Sequence, residues 1–396
     1  MRSSSLQTDS TGSCAICRRL RELTTRMKAQ STGERIFGLD LMRATAGVMV
    51  VLSHTGHLVE RHWPRFPNVP YVDWVGVFFV LSGFLIGAIL LDSLAAKGSA
   101  MLRFADFMQR RWLRTLPNYY LFLVLNIWLV HIGSAPGMLS PATPAYAVFM
   151  QNFHQPLDLF FWESWSLAVE EWFYLLFPLL AFGAIALIGM HGERAFLMAC
   201  VLFIVVPIGA RALVAHHVTD DPSLLIWVKK LVITRLDAPG MGMLAALLAH
   251  QWPRAWRAVR WPTFIGGSWL LLAISHVDFL SAPVFSVYGL ESMAALAVAL
   301  LLPLLSTWRS AGPLDAPMRR LSLITYAMYL VHLPMLYRWG HLVPHPVAAF
   351  CALRYVLFLA VALALSALVF RCWERPFMRL REPAGRWLAA MAKRSA

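Results

Sequence analysis

Apolar stretches of about 20 residues with few charges recur along the chain, and about 20 residues is the length at which an α-helix crosses the hydrocarbon layer of a bilayer. The windows that meet this condition lie near 39–59, 72–91, 112–132, 166–189, 195–214, 231–250, 262–278, 284–306, 320–341 and 347–370. The pattern predicts an all-α, polytopic membrane protein with about ten transmembrane helices. No internal repeat is visible, which argues against the inverted-repeat build of many transporters. Residues 133–165 form the longest segment between windows on the side opposite the N-terminus and contain no Lys or Arg. The short apolar run 145–150 within them is too short to span and reads as an interfacial or re-entrant piece.

Composition supports this reading: 59% of the 396 residues are hydrophobic and 14% are charged, against roughly 25% charged in soluble globular proteins. That excludes a disordered chain. The net charge of +14 would suggest nucleic acid in a soluble protein, but here it follows topology. With the N-terminus inside, 25 of the 35 Lys and Arg fall on the cytoplasmic side and 4 (Arg61, Arg65, Lys229, Lys230) on the other. By the positive-inside rule both termini are cytoplasmic, and no nucleic-acid partner is expected. Residues 1–35 are polar and basic without the apolar core of a secretory signal, and are read as a cytoplasmic, disordered tail. Residues 379–396 are read as a basic cytoplasmic tail, and the 26 residues after the last window are expected to leave no room for an appended globular domain. Cys14 and Cys17 form a CxxC without a second pair, half of a zinc site, so no metal is expected. A GxxxxGK[ST] loop, an HExxH pair and a GxSxG elbow are all absent.

Ionisable side chains inside spans cost a few kcal/mol on insertion scales and are therefore functional candidates. In the first window Arg43 and His54 are 11 residues apart, three helical turns and a rise of about 16 Å on one face. The bland alternative for His54 is a packing hydrogen bond. Arg111 and Arg114 are one turn apart at the start of the third window. They read either as topological anchors or as a guanidinium clamp for phosphate. Ser166 and Glu170, at i and i+4, share a face near the outer end of the fourth window, whereas the adjacent Glu171 is turned away. The sixth window carries Arg235 and Asp237, the ninth Tyr326, Tyr329 and His332, and the second Ser82 beside Gly83.

These strings are specific enough to carry a resemblance. GLDLMRATAGVMVVLSH (38–54), GVFFVLSGFLIG (76–87), RRWLR (110–114), WSLAVEEWFYLLFPLL (165–180), RLDAPGMGMLAALL (235–248), YAMYLVHLP (326–334) and ERP (374–376) occur in the order found in acyltransferase family 3. The chain resembles these integral membrane enzymes from about 36 to 378. The resemblance implies transfer of an acyl group, acetyl by default, from cytoplasmic acyl-CoA to a hydroxyl of an exported or surface glycan or a lipid-linked sugar, in a bacterial inner membrane. It implies that His54 is the catalytic histidine, with Arg43 as its companion. Arg111 and Arg114 become the Arg-x-x-Arg element associated with acyl-CoA, with Ser82 placed beside them. Ser166 matches the outer Ser/Glu element and is assigned with Arg235, Asp237 and His332 to the acceptor. Glu170, its partner in that element, is set with His54 in the outer half, orienting the imidazole or the acceptor. Two positions depart from the family pattern: Gly76 stands where an acidic residue is frequent, and Ala168 where Ser is. General-base catalysis by His54 is favoured over an acyl-histidine route, and the rival function is a transporter or flippase of a glycan precursor.

Overall fold

The computed structural model describes residues 36–60, 72–95, 99–155, 157, 160–220, 228–277, 285–342 and 351–395, and no strand occurs among them. The tail expected at 1–35, with Cys14 and Cys17, lies outside the described residues, as do Arg61 and Arg65. A helix overlies each predicted window: α1 (Phe37–Thr55), α2 (Trp74–Ala95), α3 (Ala100–His131), α4 (Ser164–Ile188), α5 (Gly192–Asp220), α6 (Asp237–Gln251), α7 (Arg260–Ser275), α8 (Glu291–Leu305), α9 (Asp315–Leu342) and α10 (Cys351–Val369). An eleventh, α11 (Arg381–Ser395), occupies the segment read as a tail.

By length and composition, five described stretches are long and apolar enough to cross a membrane: Trp74–Ala95, Ser164–Ile188, Gly192–Leu213, Ser286–Leu305 and Cys351–Met391. Helices α6 and α7, of 15 and 16 residues, rise only about 23 Å, short of the ~30 Å hydrocarbon core. Helices α1, α3 and α9 are longer but carry charged side chains, Asp40 and Arg43 in the first two turns of α1, five in the first half of α3, and Asp315, Arg319, Arg320 and Arg338 near the ends of α9.

Helix α2 is apolar almost all round and sits in the main core with α6 against it. The two backbones nearly touch: a Cβ at Gly83 would overlap the Pro239 carbonyl, and one at Gly242 the Val80 carbonyl. Small residues permit this approach, and van der Waals contact then holds the pair, since lipid supplies no hydrophobic drive between helices. Helix α6 starts late because its approach, Val232–Thr234, is a 3₁₀ turn. That irregular backbone is satisfied by the 133–163 segment: Val232 N–H donates to the Asn152 carbonyl (2.9 Å) and Ile233 N–H to that of Phe153 (3.3 Å). Non-helical backbone at membrane depth is tolerated when protein supplies its partners in this way. The predicted apolar run near 145–150 forms a 3₁₀ turn at Thr143–Val148, with Tyr146 buried.

Helix α3 is longer than its apolar window implies, 32 residues from Ala100. The added turns are polar, and hydropathy does not detect them. They are stabilised as helix surface by pairs such as Arg110 Nε to Asp106 Oδ2, i and i+4 at 2.9 Å. Arg111 and Arg114 therefore lie about 17 and 21 Å along the helix from its first residue.

Candidate active site

That lengthening decides how the candidates meet. Six of the ten residues assigned roles from the sequence line one cavity of about 90 Å³: Arg43 from α1, Ser82 from α2, Arg111 and Arg114 from α3, Ser166 and Glu170 from α4, with Tyr326 and Tyr329 of α9 beside them. The sequence reading set Glu170 in the outer half and Arg111 and Arg114 at the cytoplasmic mouth. The structure instead brings them to the same cavity, because the arginines sit deep in α3 while Glu170 is six residues into α4.

Glu170 is held by two hydroxyls. Ser82 Oγ donates to its Oε1 at 2.5 Å, and Tyr174, one turn on in α4, donates to the same oxygen at 2.8 Å. The Arg111 guanidinium lies over the ring of Phe107 at 5.7 Å and that of Tyr174 at 6.0 Å, within cation–π range. Ser166 Oγ and Tyr329 Oη are 2.6 Å apart, and Tyr329 Oη also donates to the Glu163 carbonyl at 2.9 Å. Glu171 is buried and is not part of the cavity wall.

His54 does not line this cavity. Its Nδ1 is 2.9 Å from Nε2 of His332, and the two rings stack at 8° with centroids 5.1 Å apart. His332 is fully buried, while His54 is half-buried. Tyr329 connects the two places: it lines the cavity and its ring lies 5.7 Å from that of His332, one turn along α9. No hydrogen bond joins Glu170 to His54, so the imidazole is positioned by His332 and Glu170 by Ser82 and Tyr174.

Arg235 and Asp237, read as acceptor residues, lie elsewhere. Arg235 is buried between the carboxylates of Asp73 and Glu291, with Lys229 3.5 Å from Glu291. Asp237 Oδ2 accepts from Arg211 Nη2 at 2.8 Å and from Ser292 Oγ at 2.6 Å. Arg211 also donates through Nη1 to the Thr234 carbonyl at 2.6 Å, which satisfies the turn before α6. Asp73 supplies a carboxylate three residues before Gly76, the position at which an acidic residue is frequent in the family pattern, and it also accepts from the Gly76 N–H at 2.9 Å.

The sequence reading missed Tyr174, Asp73, Glu291 and the partner role of Arg211. The i, i+4 rule that paired Ser166 with Glu170 would have found Tyr174. Asp73 lies just before α2 and Glu291 within the helical stretch Ser286–Leu305; both fall inside predicted windows, 72–91 and 284–306, and only the distant Arg235 marks them as more than isolated charges. Among the described residues no group of three or more His, Cys, Asp or Glu could hold a metal ion.

The family described as Acyltransferase domain matches residues 36–371. The chain belongs to acyltransferase family 3. Within that family it is similar to YrhL of Bacillus subtilis (strain 168), 31% identical over 203 residues, which cover 47% of this chain and 29% of that protein. It is 26% identical over 228 residues to the O-acetyltransferase OatA of Staphylococcus aureus (strain NCTC 8325 / PS 47), covering 54% of this chain and 34% of that one. It is also 30% identical over 154 residues to the peptidoglycan O-acetyltransferase OatA of Listeria monocytogenes, covering 35% of this chain and 23% of the other. The matched stretch is thus about a third or less of each relative's length. No solved structure matches the chain.

Proposed function

We propose that this acyltransferase family 3 member is a multi-pass O-acyltransferase of the bacterial inner membrane that moves an acyl group, acetyl by default, from cytoplasmic acyl-CoA to a hydroxyl of a cell-surface glycan. Peptidoglycan is the favoured acceptor, because a relative bears that substrate in its name. The observation that carries the reading is the arrangement along α1: Arg43 lines a cavity with two further guanidiniums, and three turns on His54 is held by His332. In this reading the chain spans about ten times with both termini cytoplasmic, as the distribution of Lys and Arg indicates.

The cationic end suits the phosphates of CoA, which guanidiniums bind as forks. A cavity of about 90 Å³ is well below the roughly 300–1,000 Å³ of sites that enclose a whole drug-sized ligand, and in this reading it takes the acyl end of the donor. At the other end, His54 Nδ1 and His332 Nε2 are 2.9 Å apart; in the tautomer this reading takes, His54 Nδ1–H donates and His54 Nε2 is the basic nitrogen. Nε2 takes the proton of the acceptor hydroxyl as its oxygen attacks the thioester carbonyl. The C–O bond forms, the C–S bond breaks, and the CoA sulfur leaves as thiolate to be reprotonated. A base positioned in this way contributes about 10²–10⁴ in rate.

The test is transfer by purified protein in proteoliposomes, with acyl-CoA on one side and glycan fragments on the other. Wild type transfers, and His54→Ala stays folded and membrane-inserted without transfer. Activity above a few per cent in that variant removes His54 from the chemistry, and a wild type that uses no acyl-CoA removes the donor.

A further inference from the structure

The C-terminal helix α11 does not hang free. The Arg381 carbonyl accepts from Gln109 Nε2 at 3.2 Å, and Glu382 Oε1 accepts from Arg110 Nη1 at 2.7 Å. Gly385 faces Asp106 so closely that a Cβ there would stand 2.8 Å from its Oδ1. Three successive contacts thus fix the first turns of α11 against the polar extension of α3. Beside this junction lies a second cavity, of about 620 Å³, lined by Arg103, Asp106, Arg110, Arg111 and Arg381 among others. Its size is in the range of small-molecule sites. Arg111 is common to the linings of this cavity and the 90 Å³ one, so its side chain stands between the two.

The charges there do not balance. Two acids at this junction, Asp106 on the cavity wall and Glu382, are engaged by Arg110, at 2.9 and 2.7 Å. Glu374 accepts from Asn118 Nδ2 at 2.9 Å. The Arg381 Nε is buried and makes no hydrogen bond. Four guanidiniums line this roomy cavity with one carboxylate, Asp106, that Arg110 already engages, and such a cationic surplus is the chemistry of a polyphosphate site.

Taking the donor of the reading above, we propose that Arg381, carried into place by α11, binds the nucleotide phosphates of acyl-CoA in the larger cavity, with the acyl end threaded past Arg111 into the smaller one. The C-terminal helix is then part of the donor site, and the same guanidinium chemistry could otherwise be satisfied by an anionic lipid headgroup.

The experiment measures the affinity of full-length protein for CoA by calorimetry, in nanodiscs of phosphatidylcholine and of phosphatidylglycerol. Arg381→Ala is expected to weaken CoA binding about tenfold in both lipids, and Arg381→Lys to recover part of the loss. Arg386→Ala, which removes an equal charge from an exposed position on the same helix, is expected to leave affinity unchanged. Gly385→Leu, which pushes α11 off α3, is expected to reproduce the Arg381→Ala loss. Equal affinity of wild type and Arg381→Ala in phosphatidylcholine overturns the proposal while leaving the acyl-CoA reading intact, and so does an effect seen only in phosphatidylglycerol. An equal loss in Arg386→Ala overturns it as bulk charge. A wild type that binds no CoA overturns both.

Discussion

Two regions of this protein bury arginines inside the helical assembly, and they do so for opposite ends. Between α5, α6 and α8, Arg235 and Arg211 are each under 3% exposed and are met by carboxylates: Asp73 and Glu291 on the first, Asp237 on the second. Between α1, α3 and α4, three guanidiniums share a cavity wall with one carboxylate, Glu170. The first region is close to electroneutral and packed, whereas the second is open and cationic. A buried charge is therefore a poor marker of a site on its own. The informative property is a surplus of one sign beside empty volume, since a matched pair satisfies itself and has nothing left to offer a ligand.

The comparison can be broken by treating both regions alike. Arg235→Ala strands two buried carboxylates and is expected to cost about 3–5 kcal/mol, seen as loss of folded protein on size-exclusion chromatography in detergent; normal yield and melting would erase the distinction. Glu170→Gln keeps volume and removes charge, and is expected to slow acyl transfer about a hundredfold, within the range of a positioned catalytic group, with melting unchanged. Glu171→Gln should be milder, because that side chain is not on the cavity wall, and the reverse order in initial rates would displace Glu170 from its role. Arg111→Ala and Arg114→Ala are each expected to raise KM for the acyl donor about tenfold or more, at roughly 1.5–3 kcal/mol per charge-assisted contact, without moving KM for the acceptor. Lys at either position restores charge but not the planar fork, so recovery should be partial. Tyr174→Phe removes one of the two hydroxyls on Glu170 Oε1 and should cost about 1 kcal/mol, a roughly fivefold fall in kcat/KM.

Helix placement was legible because membrane insertion imposes one hydrophobic period over long windows, and a helix overlies every window proposed. Helix ends were less so. The first three turns of α3 are built from Arg103, Asp106, Gln109 and Arg110, residues that look like loop on a hydropathy scale and are stabilised by i, i+4 pairing and by α11. Missing them placed Arg111 and Arg114 at a rim when they reach a cavity. Within the site, Ser166 and Glu170 could be paired, and Arg43 named with His54, because spacing along one helix reports a shared face, whereas Ser82 entered beside Gly83 and through the resemblance. Contacts between distant helices carry no such periodic trace: the His54–His332 pair joins residues 278 apart, and the Asp73–Arg235–Glu291 cluster joins three segments. Arg235 and Asp237 looked like site residues for the same reason that Arg43 did, and only their partners distinguish them.

The distance between Arg43 and His54 on α1, about 16 Å, gives the proposed transfer an electrical consequence. The leaving sulfur is tethered to phosphates held at the arginine end, while the hydroxyl proton is taken at His54. If His54 releases that proton to the outer medium and the sulfur is reprotonated from the cytoplasm, each turnover moves one positive charge outward against an inside-negative potential. That costs about 2.3 kcal/mol per 100 mV. If the proton instead returns through the protein to the sulfur, no net charge crosses and the voltage does no work. Turnover in proteoliposomes clamped at different potentials separates the two routes: a rate that falls as the interior is made more negative shows an electrogenic enzyme, and a flat response shows an acyl group exchanged for a proton within one sealed path.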